Sequence, residues 1–326
     1  MVQPAGSISR SCCATATRRP VYTARVIVVR TYPDVRAFLD RAEPWLLREE
    51  QRYGLLLGIA YQVRSGAHRY RAPIYWATIE EGSADAGAAA DGAPMGASAD
   101  SRPADDASLL GCAFRTPPNQ VGVTELPAAA IEPLVASLRA TYLNLPGVAG
   151  PEPTANAFAD AWTARFGGKW WLEQRQRLHS LTRVTFPSAP AAGALRVALA
   201  PDVPVARAWT AGFIREARAR YSSADAAERL IAEGRLYIWV DGQPRCMVSA
   251  VRDTPNSAGI GAVYTPPQFR NRGYASTAVA TLSRQLLDAG RRSCFLYTDV
   301  ANPLSNAIYA RIGYEPLDDV VSLKIL

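Results

Sequence analysis

The sequence predicts an α/β chain: a mixed α+β sheet, with one unit built twice. Three observations carry this reading. The 326 residues, 48% of them hydrophobic, suffice for two domains of ordinary size with a sizeable core. From Leu195 to the end the patterns run strand, two helices, three strands, helix, strand, helix, strand. And an apolar run ending in Arg115-Thr116-Pro117-Pro118-Asn119 is echoed by one ending in Arg252-Asp253-Thr254-Pro255-Asn256, each followed by strand, helix, strand, helix and closing strand.

Residues 1–33 hold five Arg and no acidic residue, with Ser, Ala and Thr frequent at the start. An organelle transit peptide and a flexible N-terminal extension both fit. The extension, over 1–24, is the working expectation, with a cytoplasmic location. Val26–Val29 opens the first strand, and Asp34–Leu57 is helical in pattern, interrupted near Pro44. Leu55–Ala60 continues a buried helix, and Ile74–Ile79 is β-like. Gly82–Ala107 is Ala, Gly, Ser, Asp and Pro with Met95 its only large apolar residue, so it reads as a disordered acidic insert (82–107) between two strands. Leu109–Thr124 then reads as a strand pair. Ala128–Leu143, Gly147–Gly150, Thr154–Phe166 and Trp170–Leu181 read as helix, strand, helix and strand.

Thr185–Ala194, with two Pro and four Ala, reads as a linker between an N-terminal domain (25–184) and a C-terminal domain (195–326). Leu195–Leu199 is a strand, Pro201–Arg220 and Ala224–Glu233 are helices, and Leu236–Val240 and Cys246–Val251 form a hairpin. Its Asp241-Gly242 suits a type I′ turn. A strand over Ser293–Val300 precedes a helix that Asn302 caps, with Pro303 at its first position and Gly313 just past its end.

The formal charge is +7. Nucleic acid, a polyanionic small ligand and a merely solvated basic surface all remain open, but the Arg are dispersed with no long basic run, so nucleic acid is not expected. No run of about 18 apolar residues predicts a membrane span. The five Cys are odd in number and form no CxxC, which fits reduced thiols and no metal site. The two His, His68 and His179, lie far along the chain from the stretch described next.

That stretch is Gly259–Ser276. Val263, Tyr264 and Thr265 suit a strand, and Pro266-Pro267 ends its ladder. Arg270-Asn271-Arg272-Gly273-Tyr274-Ala275 then leads into a helix with apolar Ala275, Val279, Leu282 and Leu286 on one side. A glycine-containing turn at a helix start offers free N–H groups to a phosphate. Gly273 permits close backbone approach, and Arg270 and Arg272 add charge. Arg270-x-x-Gly273-x-Ala275 resembles the Q/R-x-x-G-x-G/A signature of the GCN5-related N-acetyltransferases, the GNAT superfamily. Downstream, Asn302-x-x-Ser305-x-x-x-Tyr309-x-x-x-Gly313-Tyr314 resembles that superfamily's second signature. The first half has Glu125-Leu126-Pro127 in place of the phosphate turn, so it resembles a degenerate copy.

The resemblance implies a duplicated GNAT acyl-CoA N-acyltransferase fold with a catalytic C-terminal half. It implies acetyl-CoA as cosubstrate and no metal, held by Val263, Tyr264, Thr265, Arg270, Asn271, Arg272, Gly273, Tyr274, Ala275, Ser276, Asn302 and Ser305. Tyr309 is implied as the acid for the departing thiolate and the Val263 N–H as the oxyanion donor. Glu216 and Asp299 are candidate bases, with solvated or capping roles the alternative for each; Cys246 and Cys294 read as structural thiols. The acceptor is then an amine on a small molecule or peptide. The rival reading is a non-catalytic acyl-CoA-binding regulator; charge alone raises a third, nucleic-acid binding.

Overall fold

In the computed structural model, which describes residues 25–66, 70, 73–83, 109–217 and 225–326, one twelve-stranded sheet runs through the whole chain. The first half contributes β1 (Arg25–Thr31), α1 (Val35–Leu46), α2 (Gly54–Arg64), β2 (Tyr75–Ser83), β3 (Leu109–Arg115), β4 (Val121–Val123), α3 (Ile131–Thr141), β5 (Gly147–Pro151), α4 (Glu152–Phe166) and β6 (Trp170–Leu181). The second repeats that order with β7 (Ala194–Val197), α5 (Val203–Ala217), α6 (Ala226–Ala232), β8 (Leu236–Asp241), β9 (Gln243–Asp253), β10 (Ser257–Tyr264), α7 (Tyr274–Asp288), β11 (Ser293–Asp299), α8 (Pro303–Ile312) and β12 (Glu315–Ile325). The echoed Thr-Pro-Asn segments occupy equivalent places, the β3–β4 and β9–β10 connections. The expected extension over 1–24, residues 84–107 of the expected insert, and His68 lie outside the described residues. Gly82 and Ser83 belong to β2 and pair with Val26 and Arg25, so the strand runs two residues into the expected insert.

Local chemistry accounts for the boundaries. The Asp34 carboxylate accepts from the Arg36 and Ala37 N–H groups at 2.8 and 3.0 Å and starts α1. Pro44 does not end that helix, which runs on to Leu46. Alternating strand residues then feed two layers of helices. Trp76 faces α1 and α2, while Tyr75, Ala77 and Ile79 face α3 and α4. In the second half Ile238 and Met247 face α5 and α6, while Trp239, Cys246 and Val248 face α7 and α8. Val279 and Leu282 of α7 are fully buried against the sheet, about 1.5–3 kcal/mol each relative to exposure.

One sequence expectation fails here. A type I′ turn needs positive φ at both central residues. Gly242 has φ 68°, but Asp241 is not in the left-handed region. Asp241 stays in β8, where its carboxylate accepts from the Tyr274 hydroxyl at 2.5 Å and its carbonyl from Arg245 Nε.

The strand order is β1-β2-β3-β4-β5-β12-β6-β11-β10-β9-β8-β7. Each half therefore places its last strand inside the other's sheet. β12 pairs with β5 across Val320–Pro151 to Lys324–Gly147, and β6 pairs with β11 across Leu181–Cys294 to Gln176–Asp299. The two exchanged strands also pair with each other, antiparallel. Further contacts join the halves. The Glu50 carboxylate accepts from Asn256 N and Nδ2, both at 2.8 Å, and from the Thr254 hydroxyl. Gly58 of α2 lies so near Arg252 that a Cβ would stand 2.8 Å from the arginine's own. Among the described residues no helix is long and apolar enough to cross a membrane.

Candidate active site

The site forms where β10 leaves its neighbours. Only Ser257–Gly259 pair with β11, at Ser293–Phe295; beyond Gly259 the two parallel strands part. On the other side, β9 pairs with Gly261 through Ser249 and with Tyr264 through Met247. Ala262 and Val263 thus oppose Val248 alone, a β-bulge, with Ala262 at φ 48°. A bulge frees backbone from the ladder, which is what the Val263 N–H needs if it is to face a ligand.

After Pro266 a 3₁₀ turn over Pro267–Phe269 delivers Arg270, and the turn closes with Asn271 at φ 61° and Gly273 at φ 76°, directly before α7. Among the described residues no side chain caps this helix end. The first N–H groups of α7 thus stand at the positive end of its dipole. A Cβ on Gly273 would meet the Ala191 Cβ at 3.8 Å and the Ala189 carbonyl oxygen at 3.9 Å, ordinary contact distances, so it is the positive φ that calls for glycine here. Residues 189–192 run past it, fixed by Ala191 N–H to Thr277 Oγ1 (3.0 Å) and Trp239 Nε1–H to Ala192 O (2.8 Å). These features fit a phosphate cradle.

The charges differ from the sequence expectation. Arg272 is exposed. Arg270 donates Nε to Thr265 O at 2.9 Å and Nη2 to Glu216 Oε2 at 2.6 Å. Glu216 also accepts from the Tyr264 hydroxyl at 3.1 Å. Burial works against its ionisation, but the Arg270 and Tyr264 hydrogen bonds and nearby arginine charges outweigh it and hold the carboxyl below its usual range. Gly212 of α5 lets the Tyr264 ring lie close, since a Cβ there would fall 2.5 Å from the hydroxyl. Tyr274 is buried and committed to Asp241, so it anchors the turn to the β8–β9 hairpin. Ala275 and Ser276 fill the first turn of α7, where Ser276 Oγ donates to Gly273 O at 2.9 Å.

The second motif folds as read. Asn302 Oδ1 accepts from Ser305 N–H at 3.1 Å, Pro303 opens α8, and Gly313 ends it at φ 105°. Tyr309 is partly buried, with its ring edge-on to Tyr314 at 5.9 Å. Burial raises its pKa, with a smaller contribution from the nearby Cys246 thiol, so the phenol stays protonated. Cys246 itself donates to the Met247 carbonyl at 3.4 Å. Burial pushes the Cys246 and Cys294 thiols to about 12, which leaves both poor nucleophiles at neutral pH. Asp299 accepts from Ala301 N–H at 2.8 Å, a capping role.

Sequence reasoning missed His179. It lies on β6, in the other half of the chain, and reaches Thr298 of β11. Nothing local in the sequence signals this, because it depends on the strand exchange.

The equivalent place in the first half is closed. β3 and β4 pair in regular register, β4 pairs with β5, and a Cβ on Gly150 would stand 2.5 Å from the Val123 carbonyl oxygen. The segment in place of the phosphate turn is held inward, with Leu126 N–H on Thr154 Oγ1 at 3.1 Å.

Comparison with known proteins bears on the fold. Residues 241–322 match the family model described as FR47-like protein. A solved Drosophila protein from a structural genomics programme superposes with a TM-score of 0.58 at 14% identity, covering 92% of this chain and 98% of that one. An acetyltransferase of the GNAT family from Colwellia psychrerythraea gives 0.51 at 11% identity, covering 91% and 99%. The chain has the duplicated GNAT fold. At these identities the likeness is one of fold, and it spans both halves of the GNAT pair rather than the second alone. No curated protein matches the sequence.

Proposed function

We propose that the second half is an N-acetyltransferase that moves an acetyl group from acetyl-CoA to a primary amine of a small molecule or peptide, by direct attack in a ternary complex. The observation that carries this is the parting of β10 from β11 beside the start of α7 at Gly273, which no described side chain caps. The turn from Arg270 to Ser276 would hold the pyrophosphate through backbone N–H groups, with Arg272 adding charge. The bulge at Ala262–Val263 would turn a backbone N–H towards the thioester carbonyl, where negative charge develops. Tyr309, protonated at neutral pH, would hand a proton to the departing thiolate. Asn302 and Ser305 would act from the start of α8.

The second reading is a regulator that binds acyl-CoA without turnover. It draws on Glu216 and Asp299, the candidate bases of the sequence: one is ion-paired and the other caps a turn. A CoA-release screen with acetyl-CoA against amino acids, polyamines, antibiotics and peptides tests the first reading. Release with at least one amine supports it. Tight acetyl-CoA binding with no release across the panel favours the second.

A further inference from the structure

We infer that His179, carried into the second half by the exchanged strand β6, is a positioning residue for the helix that bears Tyr309. This rests on the acetyl-transfer reading for its functional consequence, but its structural basis stands apart.

His179 and Thr298 are almost fully buried, at 3% and 4% exposure. His179 Nε2 lies 2.9 Å from Thr298 Oγ1, and Thr298 Oγ1 lies 2.6 Å from Asn306 Oδ1. Asn306 Nδ2 reaches the carbonyls of Asp299 and Val300, both at 3.3 Å. Those two carbonyls can only accept, so the amide nitrogen of Asn306 must face them and its oxygen must face Thr298. The single Thr298 proton then goes to Asn306, and His179 must donate from Nε2. The hydrogen bonds run in one direction, from His179 through Thr298 and Asn306 to the backbone where β11 ends.

Asn306 belongs to the first turn of α8, and Tyr309 follows three residues later. The chain thus fixes the corner between β11 and the Tyr309 helix, joining the Asn302 cap at the same end. His179 Nδ1 is left buried with no partner among the described residues, so the ring sits there at a cost that only its Nε2 bond offsets. Burial, helped by the Arg177 charge, lowers its pKa and keeps it neutral. The inference gives the first half a role in the second half's site without any ligand of its own.

The experiment compares His179→Leu with His179→Gln, whose amide N–H can take the place of Nε2–H. Three quantities are read in the full chain: hydrogen exchange in α7 and α8, acetyl-CoA affinity, and kcat with an accepted amine. For His179→Leu we expect faster exchange in α8 with α7 unchanged, affinity within about twofold, and kcat lower by roughly ten- to a hundredfold, the scale of a small misplacement. His179→Gln should recover most of both effects. Thr298→Val, which keeps shape and removes the hydroxyl, should reproduce the Leu pattern should that variant fail to fold. Exchange rising equally in α7 and α8, or no rescue by Gln, would overturn the inference. If the wild-type chain turns over no amine, the acetyl-transfer reading fails, while the exchange comparison still decides the role of His179.

Discussion

The two halves are the same unit with opposite outcomes at the same place. In the first, β4 keeps regular register with β3, and Val123 lies against Gly150 of the next strand. In the second, β10 bulges at Ala262 and leaves β11 after Gly259. In the first, Leu126 is tied to Thr154 where a phosphate turn would lie; in the second, Asn271 and Gly273 turn the chain at positive φ directly into α7. The difference teaches that the sheet and its helices are the scaffold, and that a few residues at one strand end decide whether it holds a slot. The first half is nonetheless needed, because β6 lies between β11 and β12.

The largest expected effect comes from separating the halves. Residues 185–326 alone lose β6, the antiparallel partner of both β11 and β12, and β5, the other partner of β12, which leaves one edge of β11 and both edges of β12 unpaired. Expressed alone they should aggregate or fail to give a cooperative melt by circular dichroism. A soluble, cooperatively melting fragment would mean that the exchange is not needed for folding. Next comes Tyr309→Phe, which keeps the ring contact with Tyr314 and removes the hydroxyl. We expect kcat to fall by roughly 10²-fold with acetyl-CoA affinity little changed. Near-wild-type kcat, where chemistry limits the rate, would leave Tyr309 a packing residue. Gly150→Ala sharpens the comparison from the closed side. Its methyl meets the Val123 backbone, so it should lower stability by about 1–3 kcal/mol in a denaturant titration and leave acetyl-CoA binding unchanged. Loss of binding instead would place the ligand in the first half. Glu216→Gln should have the smallest effect. The pair with Arg270 is about 40% exposed on each side and contributes little stability. Removing the negative charge should raise acetyl-CoA affinity a few-fold at low salt, less at high salt. Weaker binding by calorimetry would show that Glu216 supports the turn rather than competing with the phosphates.

Much of the second half was legible because its signals are local. Pro266-Pro267 ends a strand, Gly273 takes a left-handed conformation, and the Asn302, Pro303, Gly313 set defines α8 from within the helix. The unseen features are long-range. The alternation in Trp170–Leu181 identifies a strand but not its neighbours, so the exchange of β6 and β12 could not be read. Arg270 and Glu216 are distant in sequence, and their ion pair follows from how α5 crosses β10. No residue type announces the bulge, since alanine at φ 48° is a choice the surrounding sheet imposes. Asp241-Gly242 misled because the Tyr274 hydroxyl, from another element, holds Asp241 in the strand.

The central claim is that the second half alone holds a phosphate cradle, and a matched pair of substitutions tests it most directly. Gly273→Asp puts a side chain and a negative charge at the turn before α7, where φ is 76°. Pro127→Asp puts the same charge at the equivalent, exposed helix start of the first half. Acetyl-CoA affinity of the full chain, measured by calorimetry with melting curves as the folding control, should fall at least tenfold for Gly273→Asp, about 1.4 kcal/mol. It should stay within twofold for Pro127→Asp. Equal effects of the two, or an unchanged affinity in a well-folded Gly273→Asp chain, would contradict the account.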